Sequence, residues 1–202
     1  ISWTPAVEAL VARAGHLHVM GTALSMPSAV AVIERALPIL RARGGTLSVD
    51  PNLRKELRLP PESEARFAAL VSQADLLLPS GEELERAAGV DGDLAAVRRL
   101  LDRGVREIVL KRGSRGATAF LRDGSRVDAP AFTVTETDPT GAGDCFGGAY
   151  VACRRLGLSV DECLTYASAA GARNVTRRGP MEGAGTRGEL DAFIAQTSKA
   201  TE

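Results

Sequence analysis

One short stretch of this chain, residues 138–144, combines residue types that can bind a phosphate and move a proton; its sequence is Asp-Pro-Thr-Gly-Ala-Gly-Asp. It lies between a strand-like run at 130–135 and a long helix predicted over 141–156. Three successive backbone N–H groups would therefore form the first turn of that helix, and they belong to Gly141, Ala142 and Gly143. Unsatisfied donors and the helix dipole favour an anion there, and glycines let a phosphate approach closely.

Asp144, the last residue of the stretch, would lie beside this cradle. Its carboxylate could accept a proton from a hydroxyl group that is being phosphorylated. The plain structural alternative is a first-turn helix acid, which contributes roughly 0.3–1 kcal/mol through the helix dipole. The motifs that flank the stretch favour the catalytic interpretation.

A second polar group, formed by Asp50, Asn52 and Arg54, follows a strand predicted over 46–49. Open α/β sheets place their ligands at the carboxyl ends of their strands. An acidic acceptor, an amide and a guanidinium fork in one turn could therefore contact a substrate and its phosphate. The alternative is an ordinary Pro-Asn turn with an exposed arginine, and the residues alone leave both interpretations open.

A third candidate is the loop that ends a strand predicted over 106–110, where Lys111, Gly113 and Gly116 could contact a phosphate chain. Ser80 and Glu83 are instead typical of a capping box at a helix start. His16 and His18 share one face of a predicted strand, and without a third ligand nearby they indicate a hydrogen-bonded pair rather than a metal site.

Helices and strands alternate along the sequence, with helices predicted over 5–14, 27–43, 61–73, 80–88, 94–103, 141–156, 159–176 and 186–194. Short strands are predicted over 16–20, 46–49, 74–79 and 106–110, and a hairpin joins 117–121 to 126–129. This alternation predicts the α/β class, with a mostly parallel sheet covered by helices on both faces. No P-loop, no dinucleotide-binding glycine fingerprint and no nucleophile elbow is present in the sequence.

The composition excludes several classes of partner. The 202 residues carry 25 basic and 25 acidic side chains, so the formal net charge is zero and a nucleic-acid partner is not expected. No apolar run is long enough to span a membrane. The three cysteines lack metal-ligand spacing, which is typical of reduced packing residues and predicts a cytoplasmic protein.

The 138–144 stretch, with Lys111-Arg112-Gly113 before it and Gly179 after it, resembles the PfkB (ribokinase-like) family of carbohydrate kinases. The resemblance covers essentially the whole chain. The turn at Asp50–Arg54, the run from 14 to 18 and the run from 78 to 83 are most similar to 2-keto-3-deoxygluconate kinases and allied ketose kinases. The implied fold is a three-layer α/β/α architecture that lacks the family's N-terminal strands and lid. Residues 1–202 would then be the C-terminal nucleotide-binding part of a ribokinase-like kinase domain.

The resemblance also implies a role for each candidate residue. Asp144 matches the catalytic base, and Gly141, Ala142 and Gly143 match the anion hole for the transferring phosphoryl group. The residues implied at the nucleotide are Asn52, Lys111, Gly113, Gly116, Ala170 and Arg173, the last two on a thin adenine-facing helix. Arg54 matches a substrate arginine. Glu83 matches a magnesium-associated glutamate that acts through water, and Asp138 falls where many members bind a monovalent cation such as K⁺.

Two departures from the family pattern bear on these implications. Ser80 replaces the asparagine that usually precedes the magnesium-associated glutamate, which keeps the capping interpretation of Glu83 open. Full-length members run to roughly 300 residues, near the single-domain limit, and their N-terminal part holds the sugar-binding motif and the lid. We therefore expect this chain to be inactive or very weak, and the intact parent protein to be a kinase.

The expected function is transfer of the γ-phosphate of ATP, with Mg²⁺, to a hydroxyl of 2-keto-3-deoxygluconate or a similar ketose. Another branch of the family, such as a ribokinase, fructokinase or tagatose kinase, is the first alternative. A sugar- or nucleotide-binding protein without turnover is the second, although Asp144 argues against it. The resemblance leaves homo-oligomerisation of the full-length protein open.

Overall fold

The computed structural model describes residues 1–52 and 61–200, and the chain forms two compact units. The first unit contains Ile1–Ile108 and Leu121–Asp123, and the second contains Val109–Phe120 and Gly124–Glu202. The predicted substrate residue Arg54 lies outside the described residues. Within the described part, no helix is both long and apolar enough to cross a membrane.

The first unit alternates helices with parallel strands. Its helices are α1 (Pro5–Val11), α2 (Pro27–Arg41), α3 (Pro61–Val71), α4 (Glu82–Ala88) and α5 (Asp93–Asp102), and its strands are β1 (His16–Met20), β2 (Thr46–Asp50) and β3 (Leu76–Leu77). A 3-10 helix, Gly21–Ser25, follows β1. The strands pair in parallel, with His16 beside Thr46 and Ser48 beside Leu76. Leu47 and Val49 on β2 and Leu77 on β3 are buried in the core, and the polar residues Ser48 and Asp50 of β2 are buried as well.

Strand β4 (Glu107–Lys111) pairs in parallel with β3 through its first two residues, and its last three residues belong to the second unit. That unit continues with β5 (Ala117–Leu121), β6 (Arg126–Ala129), α6 (Ala142–Arg155), α7 (Val160–Val175) and α8 (Arg187–Gln196). Strands β5 and β6 form an antiparallel hairpin. The six strands lie in the sheet in the order β1 to β6. The pairings from β1 to β4 are parallel and that of β5 with β6 is antiparallel, so the sheet is mixed but mostly parallel. The predicted α/β class is therefore confirmed.

Local sequence signals explain where the last two helices begin. Both have a complete capping box, formed by Ser159 with Glu162 on α7 and by Thr186 with Glu189 on α8. The third capping box, predicted for Ser80 and Glu83 at the start of α4, is only half formed. Glu83 accepts hydrogen bonds from the Ser80 N–H and hydroxyl, but the residue that precedes α4 is Gly81, and no side chain caps that helix.

The strand-like run predicted at 130–135 is wrong. Pro130 has no N–H to give to a sheet, and the segment instead pairs with the end of the chain. The Thr133 N–H donates to the Ser198 carbonyl (2.9 Å), and the Ala200 N–H donates to the Ala131 carbonyl (2.7 Å). Strand β3 is likewise shorter than its predicted span of 74–79, with only Leu76–Leu77 paired as a strand.

The core of the second unit lies where α6 and α7 pack together through small side chains. Phe132, Cys145, Ala169, Ala170 and Leu190 form a buried cluster there. Burial raises the pKa of the Cys145 thiol, which therefore stays protonated and acts as a packing residue. This packing fixes the first turn of α6 relative to the middle of α7.

Candidate active site

The first turn of α6 presents unpaired backbone donors. Gly141 precedes the helix with a left-handed backbone (φ +77°), and the Ala142 N–H donates back to the Pro139 carbonyl at 3.2 Å. Within the described residues, the N–H groups of Gly143 and Asp144 have no protein acceptor. A helix start leaves its first N–H groups free to bind an anion, and here two of them project from the turn.

Lys111, at the end of β4, brings a positive charge to the same turn. Its Nζ lies 3.7 Å from the position that a Cβ on Gly143 would occupy, and among the described residues no other atom outside the surrounding turn of α6 lies within 4 Å of that position. The space in front of Gly143 is therefore open and faces an ammonium group. An ammonium group beside two free N–H groups is a favourable environment for a phosphate.

A cavity of about 220 Å³ begins at this turn and lies wholly within the second unit. Its wall brings together five residues predicted from the sequence: Lys111, Gly113, Gly116, Ala142 and Gly143. The remaining lining comes from Ser114, Ala131, Phe132, Val134, Phe146, Ser168, Gly171, Ala172 and Val175. The cavity thus has a cationic end at Lys111 and a mostly apolar remainder.

Asp144 does not line this cavity. It lines a second one of about 350 Å³, which runs along the other side of α6 past Cys145, Gly148 and Ala149. Asp144 itself is exposed. Consecutive residues of one helical turn therefore face two different cavities, Gly143 the first and Asp144 the second. This arrangement would let a phosphoryl donor and an acceptor hydroxyl approach the turn from different sides.

The model of the pfkB family carbohydrate kinases matches residues 2–187. The chain belongs to this family. It is 31% identical over 193 residues to Fructokinase-1 of Oryza sativa subsp. japonica, and the match covers 90% of this chain and 58% of that protein. It is 25% identical over 192 residues to 5-dehydro-2-deoxygluconokinase of Listeria monocytogenes, with 94% and 59% covered. The chain thus spans less than two thirds of the length of these curated relatives.

Solved structures agree with the family assignment. A candidate ribokinase II from E. coli, in complex with ATP and Mg²⁺, is 38% identical with a TM-score of 0.89, and the match covers 94% of this chain and 61% of that one. A double mutant of fructokinase from Vibrio cholerae O395, with fructose, ADP and potassium ion bound, is 28% identical with a TM-score of 0.79, and the match covers 89% of this chain and 60% of that one. The ribokinase-like fold predicted from the sequence is therefore confirmed.

The glycine-rich turn contacts a loop at residues 177–186, which includes the Gly179 that contributes to the family resemblance. Asp138 accepts hydrogen bonds from the N–H groups of Thr140 (3.0 Å) and Gly179 (2.9 Å). The Thr140 hydroxyl and N–H, the Gly179 N–H and the charge of Arg178 hold the pKa of the Asp138 carboxyl below its usual range. A Cβ on Gly141 would lie 1.8 Å from the Pro180 carbonyl oxygen. Gly141 is thus needed for close packing of this loop.

Asn174, on α7, was missed by the sequence analysis. Its amide donates to the Thr140 carbonyl at 2.8 Å, and its side-chain oxygen accepts from the Gly183 N–H at 3.1 Å. The residue is fully buried. Its partners are distant in sequence, so no local pattern could have revealed it.

Two residues predicted to contact the nucleotide lie elsewhere on α7. Ala170 belongs to the buried cluster with Phe132 and Cys145, and it lines the second cavity rather than the first. The Arg173 guanidinium donates to the Gly183 carbonyl and to the Glu189 carboxylate (2.9 Å for Glu189). The residues of α7 that do line the first cavity are Ser168, Gly171, Ala172 and Val175.

The predicted residues of the first unit have local partners. Asn52 has a positive φ of 37°, and its N–H donates to the Asp50 carboxylate at 3.2 Å. Glu83 accepts from Ser80, as described above. His16 and His18 both contact the Ser48 hydroxyl, at 2.8 and 2.7 Å, so the hydrogen-bonded interpretation of this pair is confirmed.

Proposed function

We propose that the intact protein transfers the γ-phosphate of ATP to a sugar hydroxyl. The observation that supports this most strongly is the first turn of α6. There the free N–H group of Gly143 and the Lys111 ammonium group adjoin one cavity, whereas Asp144 lines another. Phosphoryl transfer needs electrostatic stabilisation on one side and a base for the attacking hydroxyl on the other.

In the proposed reaction, Asp144 accepts the proton of the sugar hydroxyl as its oxygen attacks the terminal phosphorus. The bond between that phosphorus and the oxygen bridging to the β-phosphate breaks, and ADP leaves. Donors at the turn of Gly141, Ala142 and Gly143 stabilise the charge that develops on the transferred group. Of these, Gly143 offers an unpaired N–H, whereas the Ala142 N–H is already engaged by Pro139.

Magnesium would be held mainly by the phosphates and by water, as is usual for this ion in phosphoryl transfer. Within the described residues, no group of three His, Cys, Asp or Glu side chains could form a protein-only metal site. Glu83 is the residue proposed to assist Mg²⁺ through water, and Asp138 is the residue proposed near a monovalent cation. Asn52 and Arg54 are proposed at the nucleotide and the substrate.

For the sugar, we propose 2-keto-3-deoxygluconate or a similar ketose. The matched relatives include fructokinases and a 5-dehydro-2-deoxygluconokinase, and a ribokinase-like protein is among the structural matches. A fructokinase or ribokinase activity is therefore the alternative substrate assignment. The protein is proposed to act in the cytoplasm on a small sugar. Light scattering on the full-length protein tests whether it forms a homo-oligomer.

The test is a coupled ADP-release assay on the intact protein with a panel of ketoses and sugar acids, comparing wild type with Asp144→Asn. We expect turnover to fall about 10²–10⁴-fold while ADP affinity is retained. The matched control is Asp161→Asn, which removes another first-turn acid, on α7, and leaves turnover unchanged. Full turnover by Asp144→Asn would refute the catalytic role and favour a binding protein.

The 202-residue chain provides a second arm of this test. It spans 58% of the length of a curated relative, so we propose that it binds ADP through the second unit but shows little or no turnover. Turnover equal to that of the intact protein would contradict this proposal. Absence of ADP binding by the folded chain would contradict the assignment of the first cavity to a nucleotide.

A further inference from the structure

Ser168 is a buried polar side chain without a partner in the wall of the first cavity. The residue is 8% exposed, and its Oγ has no hydrogen-bond partner within the described residues. A serine in a helix often satisfies itself by bonding to the carbonyl one turn earlier, but Ser168 does not. An unpaired buried hydroxyl is costly, which points to a group that is supplied from the cavity.

The position of Ser168 places it away from the phosphate end of the cavity. Gly171 packs against the first turn of α6, since a Cβ there would lie 3.3 Å from the Ala142 carbonyl oxygen and 3.7 Å from the Phe146 Cβ. Ser168 is three residues earlier on α7, about one helical turn or 5 Å further along. With the phosphates at Gly143 and Lys111, the base of a nucleotide would extend along this apolar wall toward Ser168.

Few other groups near this wall could recognise a base. The other polar side chains that line the cavity are Lys111, at the phosphate end, and Ser114, which is exposed. On the facing segment, the Thr133 N–H and the Ala131 carbonyl already pair with the end of the chain. Ser168 is therefore the one buried polar side chain in the described lining of this cavity.

A hydroxyl group can form a hydrogen bond with either purine base. It rotates freely and can either donate or accept a hydrogen bond. The edge of adenine presents an amino donor and a ring-nitrogen acceptor, whereas guanine presents a carbonyl acceptor and an N–H donor. A site rejects the wrong ligand strongly only when a buried polar group of fixed polarity is left unpaired by it. A hydroxyl group that can rotate donates to one base and accepts from the other, so it rejects neither of them.

We propose that Ser168 hydrogen-bonds the purine ring and that its hydroxyl lets the site accept guanine as well as adenine nucleotides. This inference rests on the proposed nucleotide site in the first cavity. It concerns the choice of phosphoryl donor, which the sugar substrate does not determine. It can be measured on the 202-residue chain, because the cavity lies wholly in the second unit.

The experiment measures ADP and GDP affinity for the chain by titration calorimetry. We expect the two dissociation constants to agree within about five-fold, and Ser168→Ala to weaken both by about five- to ten-fold. The control is Ser125→Ala, which changes an exposed serine of the same unit that does not line the cavity and should leave both affinities unchanged. Alanine suits a helix, so the Ser168→Ala variant should fold.

Each outcome decides the inference. ADP binding with GDP weaker by more than about five-fold would overturn the permissive site but leave the proposed function intact. Unchanged affinities in Ser168→Ala would overturn the role of its hydroxyl. If the folded chain binds neither nucleotide, the proposed function fails in its nucleotide site and the inference fails with it.

Discussion

The side-chain amide of Asn174, a fully buried residue, donates a hydrogen bond to the carbonyl of Thr140 across 2.8 Å. The same side chain accepts from the Gly183 N–H at 3.1 Å. One residue near the end of α7 therefore joins the turn that precedes α6 to the loop at 177–186. The geometry of the glycine-rich turn depends on this link as well as on the turn's own residues.

Replacing Asn174 with alanine should lower the free energy of unfolding of the chain by about 2–4 kcal/mol, because the buried Gly183 N–H and the Thr140 carbonyl both lose their partner. The measurement is urea denaturation. The control is Thr176→Val, which removes a single hydrogen bond (2.8 Å) from the Thr176 hydroxyl to the Arg173 carbonyl and should cost about 1 kcal/mol. Equal stability of Asn174→Ala and wild type would show that water replaces the side chain without cost.

Gly141→Ala should destabilise the chain by about 3 kcal/mol or more. Alanine is strained in the left-handed backbone conformation of this position, and its methyl group would collide with the neighbouring loop. Its Cβ would lie 1.8 Å from the Pro180 carbonyl oxygen. Gly157 is a matched control, since its φ of +80° is similar and nothing lies within 4 Å of its Cβ position. Gly157→Ala should cost only about 1–2 kcal/mol, so the difference measures the contact with Pro180. Equal losses of stability in the two variants would mean that the loop at 177–186 moves away from residue 141 without cost.

Sequence and structure agree where the signals are local. The capping pairs Ser159 with Glu162 and Thr186 with Glu189 locate the starts of α7 and α8, and short runs rich in apolar residues locate the parallel strands. The strand predicted at 130–135 was wrong because Pro130 has no N–H to give to a sheet, and the segment forms an isolated bridge between Phe132 and Lys199 instead.

The candidate site, like the fold, was predictable only where the sequence signals are local. The glycine-rich turn and Lys111 are recognisable from residue type and spacing, and the structure places them together. Asn174 and Ser168 lie on the small-residue helix α7, whose pattern indicates packing alone. Their roles depend on which groups face them from distant parts of the chain, and residue spacing carries no information on that.

Gly143→Ala should make the chain slightly more stable and a poorer nucleotide binder. Alanine in a helix is favoured over glycine by about 0.5–1 kcal/mol, and only the Lys111 Nζ, at 3.7 Å, lies near the new methyl group. The methyl group would occupy the space in front of the free N–H groups, so we expect ADP affinity to fall about ten-fold or more.

The control for this prediction is Gly148→Ala on the same helix. Gly148 has nothing within 4 Å of its Cβ position and does not line the first cavity, so the variant should gain stability without losing ADP affinity. Thermal denaturation and calorimetric titration of both variants give the comparison. Unchanged ADP binding by Gly143→Ala would remove Gly143 from the phosphate site.

Asp138→Asn should make the stability of the chain less dependent on acid pH. Hydrogen bonds from Thr140 and Gly179 and the charge of Arg178 lower the pKa of Asp138 in the folded protein. A lowered folded pKa means that the carboxylate stabilises the fold above its unfolded pKa of about 4 and that this contribution disappears as pH falls through the folded value.

The stability difference between wild type and Asp138→Asn should therefore be largest near neutral pH and shrink below about pH 4. Urea denaturation across this pH range provides the measurement. Thr140→Val keeps the carboxylate but removes the hydroxyl, so carboxyl-carbon NMR should show an Asp138 pKa between that of wild type and the unfolded value. A pH-independent difference would show that Asp138 contributes through packing alone.

Glu83→Gln separates helix capping from magnesium binding. Glu83 accepts from the Ser80 N–H (2.8 Å) and hydroxyl (2.7 Å), and Glu162 accepts from the Ser159 N–H (2.9 Å) and hydroxyl (2.7 Å) in the same way. A glutamine keeps an acceptor oxygen, so either substitution should change stability by only about 0.5–1 kcal/mol.

The two substitutions both remove a negative charge, but only at position 83 is that charge proposed to act on Mg²⁺. If Glu83 assists Mg²⁺ through water, Glu83→Gln in the intact protein should raise the Mg²⁺ concentration needed for half-maximal turnover by about three- to ten-fold. Glu162→Gln, with the same capping geometry and no proposed metal, should leave it unchanged. Equal Mg²⁺ dependence in both variants would assign Glu83 to capping alone, and the serine at position 80 would then mark a departure from the family's metal-associated pair.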